Sequence, residues 1–191
     1  MTDLPPLVVL RHGETEWNRA GRWQGHLDSP LTPEGEAQAR AMGELLRDMG
    51  LGGPGWARRV SPTGRARRTA ELLDLGHPFE EDPDLREIGV GAFAGHTRDE
   101  IRAESGLPDT AGFLEFYAAA PGGEGLEALW HRVGRVLDRL SGPTLIVTHG
   151  ITSRFLRARA LGLPIDRVLD VPGGQGVVHR VEGGSHATFT P

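Results

Sequence analysis

Short apolar runs alternate with amphipathic stretches along this chain. Residues 7–10 (L-V-V-L) are continuously apolar and β-branched at the centre, follow two prolines and lead into R-H-G. That is the pattern of a strand buried on both faces and ending in a loop. Residues 144–147 (T-L-I-V) repeat the pattern and lead into T-H-G. Residues 57–60 read as a further strand weakened by two arginines, 79–82 as a short edge strand, and 177–181 and 187–190 as closing strands. Between them lie helical periods. Thr32 as N-cap with Pro33 in the first turn starts one, which Ala37, Ala41, Leu45 and Leu46 continue to about Met49 before G-L-G-G-P-G stops it. Ser61-Pro62 opens a helix carrying Arg65, Thr69, Leu72 and Leu73, and Thr97 with Glu100 forms a capping box. A short helix is expected over 111–119. The clearest helix covers 125–140, where Leu126, Leu129, Trp130, Val133, Val136, Leu137 and Leu140 form one stripe, and another covers 151–161. This alternation predicts an α/β fold, three layers α/β/α around a mainly parallel sheet, in a single domain over 1–191.

A chain of 191 residues with 38% hydrophobic and 25% charged residues suits one globular domain. No apolar run approaches the roughly 18 residues of a membrane span, and no basic stretch precedes an apolar one at the N-terminus, so a cytoplasmic location is expected. A net charge of −5 disfavours non-specific nucleic-acid binding. The expected partner is a small molecule rather than nucleic acid or membrane, and the chain's size suits a monomer or a homodimer. Cysteine is absent, which excludes disulfides, thiolate metal sites and a cysteine nucleophile. All 21 basic residues are arginine, which excludes Schiff-base and P-loop lysines. Serine, threonine, aspartate, glutamate and histidine remain as nucleophiles.

Both buried strands end the same way, in Arg11-His12-Gly13 and in His149-Gly150. Ligands of open α/β sheets bind just beyond the carboxyl ends of the strands, so two neighbouring strands would bring these histidines together. A lone histidine after a strand is ordinarily a loop or core residue. Arg11 and Arg65 change that reading, because guanidinium groups grip phosphate oxygens bidentately.

R-H-G-E-T at 11–15 with Asn18, S-P-T-G-R-A-R-R-T-A at 61–70, L-R-E-I-G-V-G-A-F-A-G at 85–95, P-G-G-E at 121–124 and T-H-G at 148–150 follow one another in order. Together they resemble the histidine phosphatase superfamily, also called the phosphoglycerate mutase-like family, over most of the chain. The resemblance implies that His12 attacks phosphorus to form a phosphohistidine, with Nδ1–H held by a backbone carbonyl and Nε2 free to attack. It implies that Arg11, Arg65 and His149 bind the phosphoryl group, that Glu87 is the proton donor, and that Asn18, Gln24, Gly25 and Gly150 line the same pocket. Imidazole suits the role, being largely neutral at cellular pH and nucleophilic without a partner base. Positioning and charge neutralisation dominate phosphoryl transfer, and two guanidiniums can supply what Mg²⁺ supplies in kinases. No metal and no cofactor is expected. Glu14 competes with Glu87 by its proximity to His12.

Other residues read as structural. His26, His77, His96, His131, His179 and His186 lack ligand spacing and are expected mostly on the surface or in loops. Trp130 reads as core, Arg67 and Arg68 as a solvated helix face, and Glu81, Asp82 and Asp84 as a solvated acidic turn. Between Gly95 and Pro121 only Arg98 and Arg102 are basic, while Phe113, Phe116 and Tyr117 are aromatic. The resemblance to the family's mutases would imply a long basic insertion there. Its shortness implies a phosphatase with an apolar mouth acting on a small phosphorylated metabolite, a cofactor-dependent phosphoglycerate mutase being the alternative.

Overall fold

The computed structural model describes residues 4–191. Its element order is β1 (Leu7–Arg11), α1 (Glu16–Arg19), α2 (Pro33–Asp48), β2 (Ala57–Val60), α3 (Gly64–Leu72), β3 (Glu80–Glu81), α4 (Arg98–Ser105), α5 (Phe113–Ala118), α6 (Leu126–Asp138), β4 (Thr144–Thr148), α7 (Gly150–Ala160), β5 (Val178–Glu182) and β6 (Ser185–Phe189). Turns of 3₁₀ helix cover Pro83–Leu85, Gly91–Phe93 and Ile165–Asp170. One six-stranded sheet runs in the order β3-β2-β4-β1-β5-β6. The first four strands of that order are mutually parallel, and β5 and β6 close the other edge antiparallel.

The period of two along the central strands divides the core. Leu7, Val9 and Ile146 face Leu129, Val133, Val136, Phe155 and Leu156 of α6 and α7. Val8, Leu10, Leu145 and Val147 face Met42, Leu46, Ala66, Ala70 and Leu73 on and beside α2 and α3. The three layers expected from the sequence are thus formed. Each of the larger of these side chains contributes about 1.5–3 kcal/mol by leaving water. Among the described residues no helix is long and apolar enough to cross a membrane.

The ends of α2 behave as expected: Thr32 accepts from Gly35 N–H, and Pro33 fills the first turn. Its buried face does not. The core side is Gly35, Ala39, Met42, Gly43 and Leu46, while Ala37 is exposed and Ala41 and Leu45 are half-buried. Glycine decides this face. A Cβ on Gly35 would lie 2.0 Å from the Glu14 carbonyl oxygen, and one on Gly43 would lie 2.2 Å from that of Leu73. The helix packs backbone to backbone where a hydrophobic count sees nothing. α3 starts at Gly64 rather than at Ser61, with Thr63 at the N-cap position.

Candidate active site

β1 and β4 are parallel neighbours with Arg11 opposite Thr148, so the residues that follow leave the sheet side by side. The His12 backbone N–H donates to the Thr148 carbonyl at 2.9 Å, and the rings of His12 and His149 meet edge to face with centroids 5.1 Å apart. His12 Nδ1 lies 2.8 Å from the Gly13 carbonyl oxygen. A carbonyl only accepts, so Nδ1 carries the proton and Nε2 the lone pair. Burial, with Arg11 and Arg65 alongside, holds the His12 pKa well below the ordinary imidazole value. Burial, then Arg65, His12 and Arg11, do the same to His149.

Arg65 reaches this point from the first turn of α3 and is almost fully buried. Its Nη1 donates to the Leu27 carbonyl (2.6 Å) and to Asp28 Oδ1 (3.0 Å), and its Nη2 to the Gly25 carbonyl (2.9 Å). Its Nε donates to His12 Nε2 at 3.3 Å. Gly25 is needed there, because its φ is +52° and a Cβ would lie 2.7 Å from Val90 Cγ2. Ser61 and Thr63, at the end of β2, hold His149 by Nε2 at 2.7 and 3.5 Å.

Three polar atoms in this group are buried with no partner among the described residues: Arg11 Nε, His149 Nδ1 and Gln24 Oε1. Buried polar atoms are ordinarily paired, and exceptions concentrate where a ligand supplies the partner. A cavity of about 230 Å³ is lined by Arg11, His12, Asn18, Gln24, Gly25 and Arg65, with Arg22, Trp23, Glu87, Phe113 and Tyr117 at its walls, while His149 stands behind His12 and does not line it.

Glu87 sits at the N-terminus of α7, between the two 3₁₀ turns. Oε1 accepts from the Ile88 and Thr152 N–H groups (both 3.0 Å), and Oε2 from Ile151 N–H (3.2 Å). Behind it, Arg132 of α6 donates to the carbonyls of Asp84 (2.6 Å), Arg86 (2.8 Å) and Glu87 (3.4 Å). Arg132 also pairs with Glu124 at 2.6 Å, and Glu124 accepts from Gly89 N–H. The loop bearing Glu87 is therefore gripped on both sides by one ion pair.

Asn18 and Gly25 line the cavity, and Gly150 opens α7 where a Cβ would lie 3.5 Å from Arg11 Cζ. Gln24 Nε2 donates to Thr15 Oγ1. Glu14 points away, its Oε2 bound by Arg19 and Thr32 on the outside of the loop, so it does not compete with Glu87. Phe116 does not reach the mouth either. It is buried in the core with Arg102 stacked over it, while Phe113 and Tyr117 line the cavity. Asp82 and Asp84 are not a solvated turn: they pair with Arg59, Arg135 and Arg139. Arg67 and Arg68 are exposed as expected, pairing with Glu81, Glu36 and Glu71. His179 is fully buried on β5, stacked on His186. Gln175, which no motif marked, donates from Nε2 to the His12 carbonyl and to Asn18 Oδ1, both at 3.2 Å. The P-G-G-Q-G run around it was the available signal, since glycine-rich loops let backbone approach a site.

Residues 7–188 match the family model for the histidine phosphatase superfamily, branch 1. A probable phosphoglycerate mutase GpmB of Erwinia tasmaniensis is 37% identical over 170 residues, which cover 83% of this chain and 75% of that one. A crystal structure of a putative alpha-ribazole-5'-P phosphatase from Escherichia coli superposes with a TM-score of 0.80 at 27% identity, covering 98% of this chain and 95% of the other. YhfR of Bacillus stearothermophilus does so with a TM-score of 0.76 at 34% identity, covering 97% and 96%. The ordered motifs, the paired histidines and these likenesses agree: this chain belongs to the histidine phosphatase superfamily, a family of enzymes.

Proposed function

We propose that this protein is a phosphomonoester hydrolase working through a phosphohistidine on His12. The observation that carries the proposal is the unprotonated Nε2 of His12, set in a cavity whose other walls present Arg11 and Arg65, with the His149 ring edge to face against His12. The phosphoryl group of a small phosphorylated metabolite enters against the guanidiniums, drawing Arg65 Nε away from Nε2. The Nε2 lone pair forms a bond to phosphorus, and the P–O bond to the alcohol breaks with its electron pair on oxygen. Glu87 gives its proton to that oxygen. Water then attacks the phosphohistidine, Glu87 takes the water's proton, and the P–N pair returns to Nε2 as inorganic phosphate leaves. Two guanidiniums neutralise the equatorial oxygens throughout, so no step calls for a metal ion. Asn18, Gln24, Gly25 and Gly150 border the phosphoryl group, Gly25 acting through its hold on Arg65.

Hydrolysis is favoured over isomerisation by the mouth. Its walls at Trp23, Phe113 and Tyr117 are aromatic, the Trp23 and Tyr117 rings stacking 4.0 Å apart, Arg102 is turned away onto Phe116, and Arg22 at the rim is tied to Glu100 and the Gly95 carbonyl. The mutase reading is kept alive by the name of the 37% identical relative. Incubation with a panel of phosphomonoesters, and with 3-phosphoglycerate plus bisphosphoglycerate, separates the two. Phosphate release that disappears in His12→Ala supports the hydrolase. Isomerisation without release overturns it in favour of the mutase.

A further inference from the structure

The turn that presents His12 is fixed group by group. His12 N–H donates to the Thr148 carbonyl, Gly13 N–H donates to Thr69 Oγ1 at 3.0 Å, and the Gly13 carbonyl accepts from His12 Nδ1. Glu14 N–H donates to Gln38 Oε1 at 3.0 Å. The His12 carbonyl is the remaining group, and buried backbone groups are ordinarily paired. Gln175 Nε2 is its one donor among the described residues, at 3.2 Å. Gln175 stands between the last 3₁₀ turn and β5, is half-buried, and does not line the cavity over His12. Its neighbour Gly176 has a φ of +71°, and a Cβ there would lie 3.1 Å from Gln38 Cγ. The glycine-rich loop thus rests on the same side chain that holds Glu14.

The second hydrogen of Gln175 Nε2 goes to Asn18 Oδ1, also at 3.2 Å. Backbone partners orient both amides. A carbonyl only accepts, so the Gln175 atom facing His12 is nitrogen. A backbone N–H only donates, and Thr15 N–H lies 3.2 Å from the Asn18 atom that Gln175 also meets, so that atom is oxygen. Asn18 Oδ1 therefore takes two donors, while its Nδ2 has no acceptor among the described residues, and Asn18 lines the cavity. The half of the amide left for a ligand is the donor half. Turned the other way, the amide would set an oxygen against phosphoryl oxygens.

We propose that Gln175 is a positioning residue for phosphoryl transfer: it locks the His12 peptide and turns the Asn18 amide so that nitrogen meets the phosphoryl group. The proposal rests on the hydrolase reading for what occupies the cavity. Gln175 touches neither phosphorus nor the leaving group, and its effect passes through His12 and Asn18.

Calorimetric binding of inorganic phosphate to the parent, Gln175→Met, Asn18→Ala and the double variant tests the route through Asn18. Asn18→Ala is expected to weaken binding by about 10-fold and Gln175→Met by about 3- to 10-fold, the range of a hydrogen bond to an anion. Because one side chain acts through the other, the double variant is expected within about twofold of Asn18→Ala alone. A double loss equal to the product of the single losses overturns the proposal, as does unchanged binding in Gln175→Met. Gln175→Glu keeps the size and loses the donors, so its kcat on p-nitrophenyl phosphate is expected to fall at least as far as in Gln175→Met, and a parent-like kcat overturns the proposal. The Asn18 side-chain amide signals in ¹⁵N–¹H spectra of the ligand-free protein separate this from the hydrolase reading. They are expected to be sharp in the parent and to shift and broaden in Gln175→Met and Gln175→Glu. Unchanged signals overturn the positioning role even where hydrolysis proceeds, and shifted, broadened ones sustain it even where hydrolysis fails.

Discussion

Lowering the pH of the ligand-free protein from about 7.5 to about 5.5 perturbs three buried imidazoles, the two of the candidate site and one in the sheet. His12, His149 and His179 are each at most 3% exposed. Burial lowers all three, His12 and His149 well below the ordinary value and His179 to about 3, with Arg157 and His186 adding to the effect on His179. In the unfolded chain each titrates near about 6.5. The unfolded state therefore binds protons that the folded state refuses. Their stabilisation is complete above about pH 6.5 and is lost as the pH falls toward the folded values. Each histidine costs RT ln(1 + 10), about 1.4 kcal/mol, at about pH 5.5, and the three together cost about 4 kcal/mol. Against a total stability of about 5–15 kcal/mol that is a large fraction. Glu14, Glu36, Glu100 and Glu124, held below the usual carboxylate range by their hydrogen bonds, add their own loss only at lower pH. Urea unfolding followed by circular dichroism at the two pH values measures the difference, and His179→Gln is expected to remove about a third of it. An unfolding free energy that changes by less than about 1 kcal/mol between the two would refute the assignment of neutral, buried imidazoles.

The grip of Arg132 on the Glu87 loop predicts a loss that depends on the leaving group. Arg132→Met is expected to lower kcat on butyl phosphate by about 10- to 100-fold and on p-nitrophenyl phosphate by under about threefold, because nitrophenolate leaves without a proton. Steady-state kinetics on both substrates checks it, and equal losses would mean that Arg132 acts only on folding. Gly35→Ala places a Cβ 2.0 Å from the Glu14 carbonyl and is expected to cost about 2–4 kcal/mol, read from the urea midpoint. A midpoint within experimental error of the parent would show that the loop after β1 can move away from α2.

The parts of this structure that were legible in the sequence are those whose cause is local. L-V-V-L and T-L-I-V announce strands buried on both faces, Thr32-Pro33 and Thr97…Glu100 announce helix starts, and α6 shows one apolar stripe. R-H-G and T-H-G stood out because each follows such a strand. What stayed hidden depends on partners far along the chain. Asp82 and Asp84 looked solvated because Arg135 of α6 and Arg139 at its C-cap lie more than fifty residues away. Arg132 reads as an ordinary helix residue until α6 is laid behind the Glu87 loop. α1 is a single capped turn, too short for a period to register. His179 pairs with Val9 in the sheet, so the strand register buries it on a face that a lone histidine does not advertise. Gln175 comes to His12 from 163 residues away, along a loop with no period at all.

The most direct test of the central claim is a rapid quench of the enzyme during turnover of a ³²P-labelled phosphomonoester, followed by peptide mapping. A label on His12 at Nε2, stable to alkali, lost in acid and absent from His12→Ala, is the predicted result. Label on His149, an acid-stable label on serine or threonine, or turnover with no protein-bound phosphate at any quench time would contradict it.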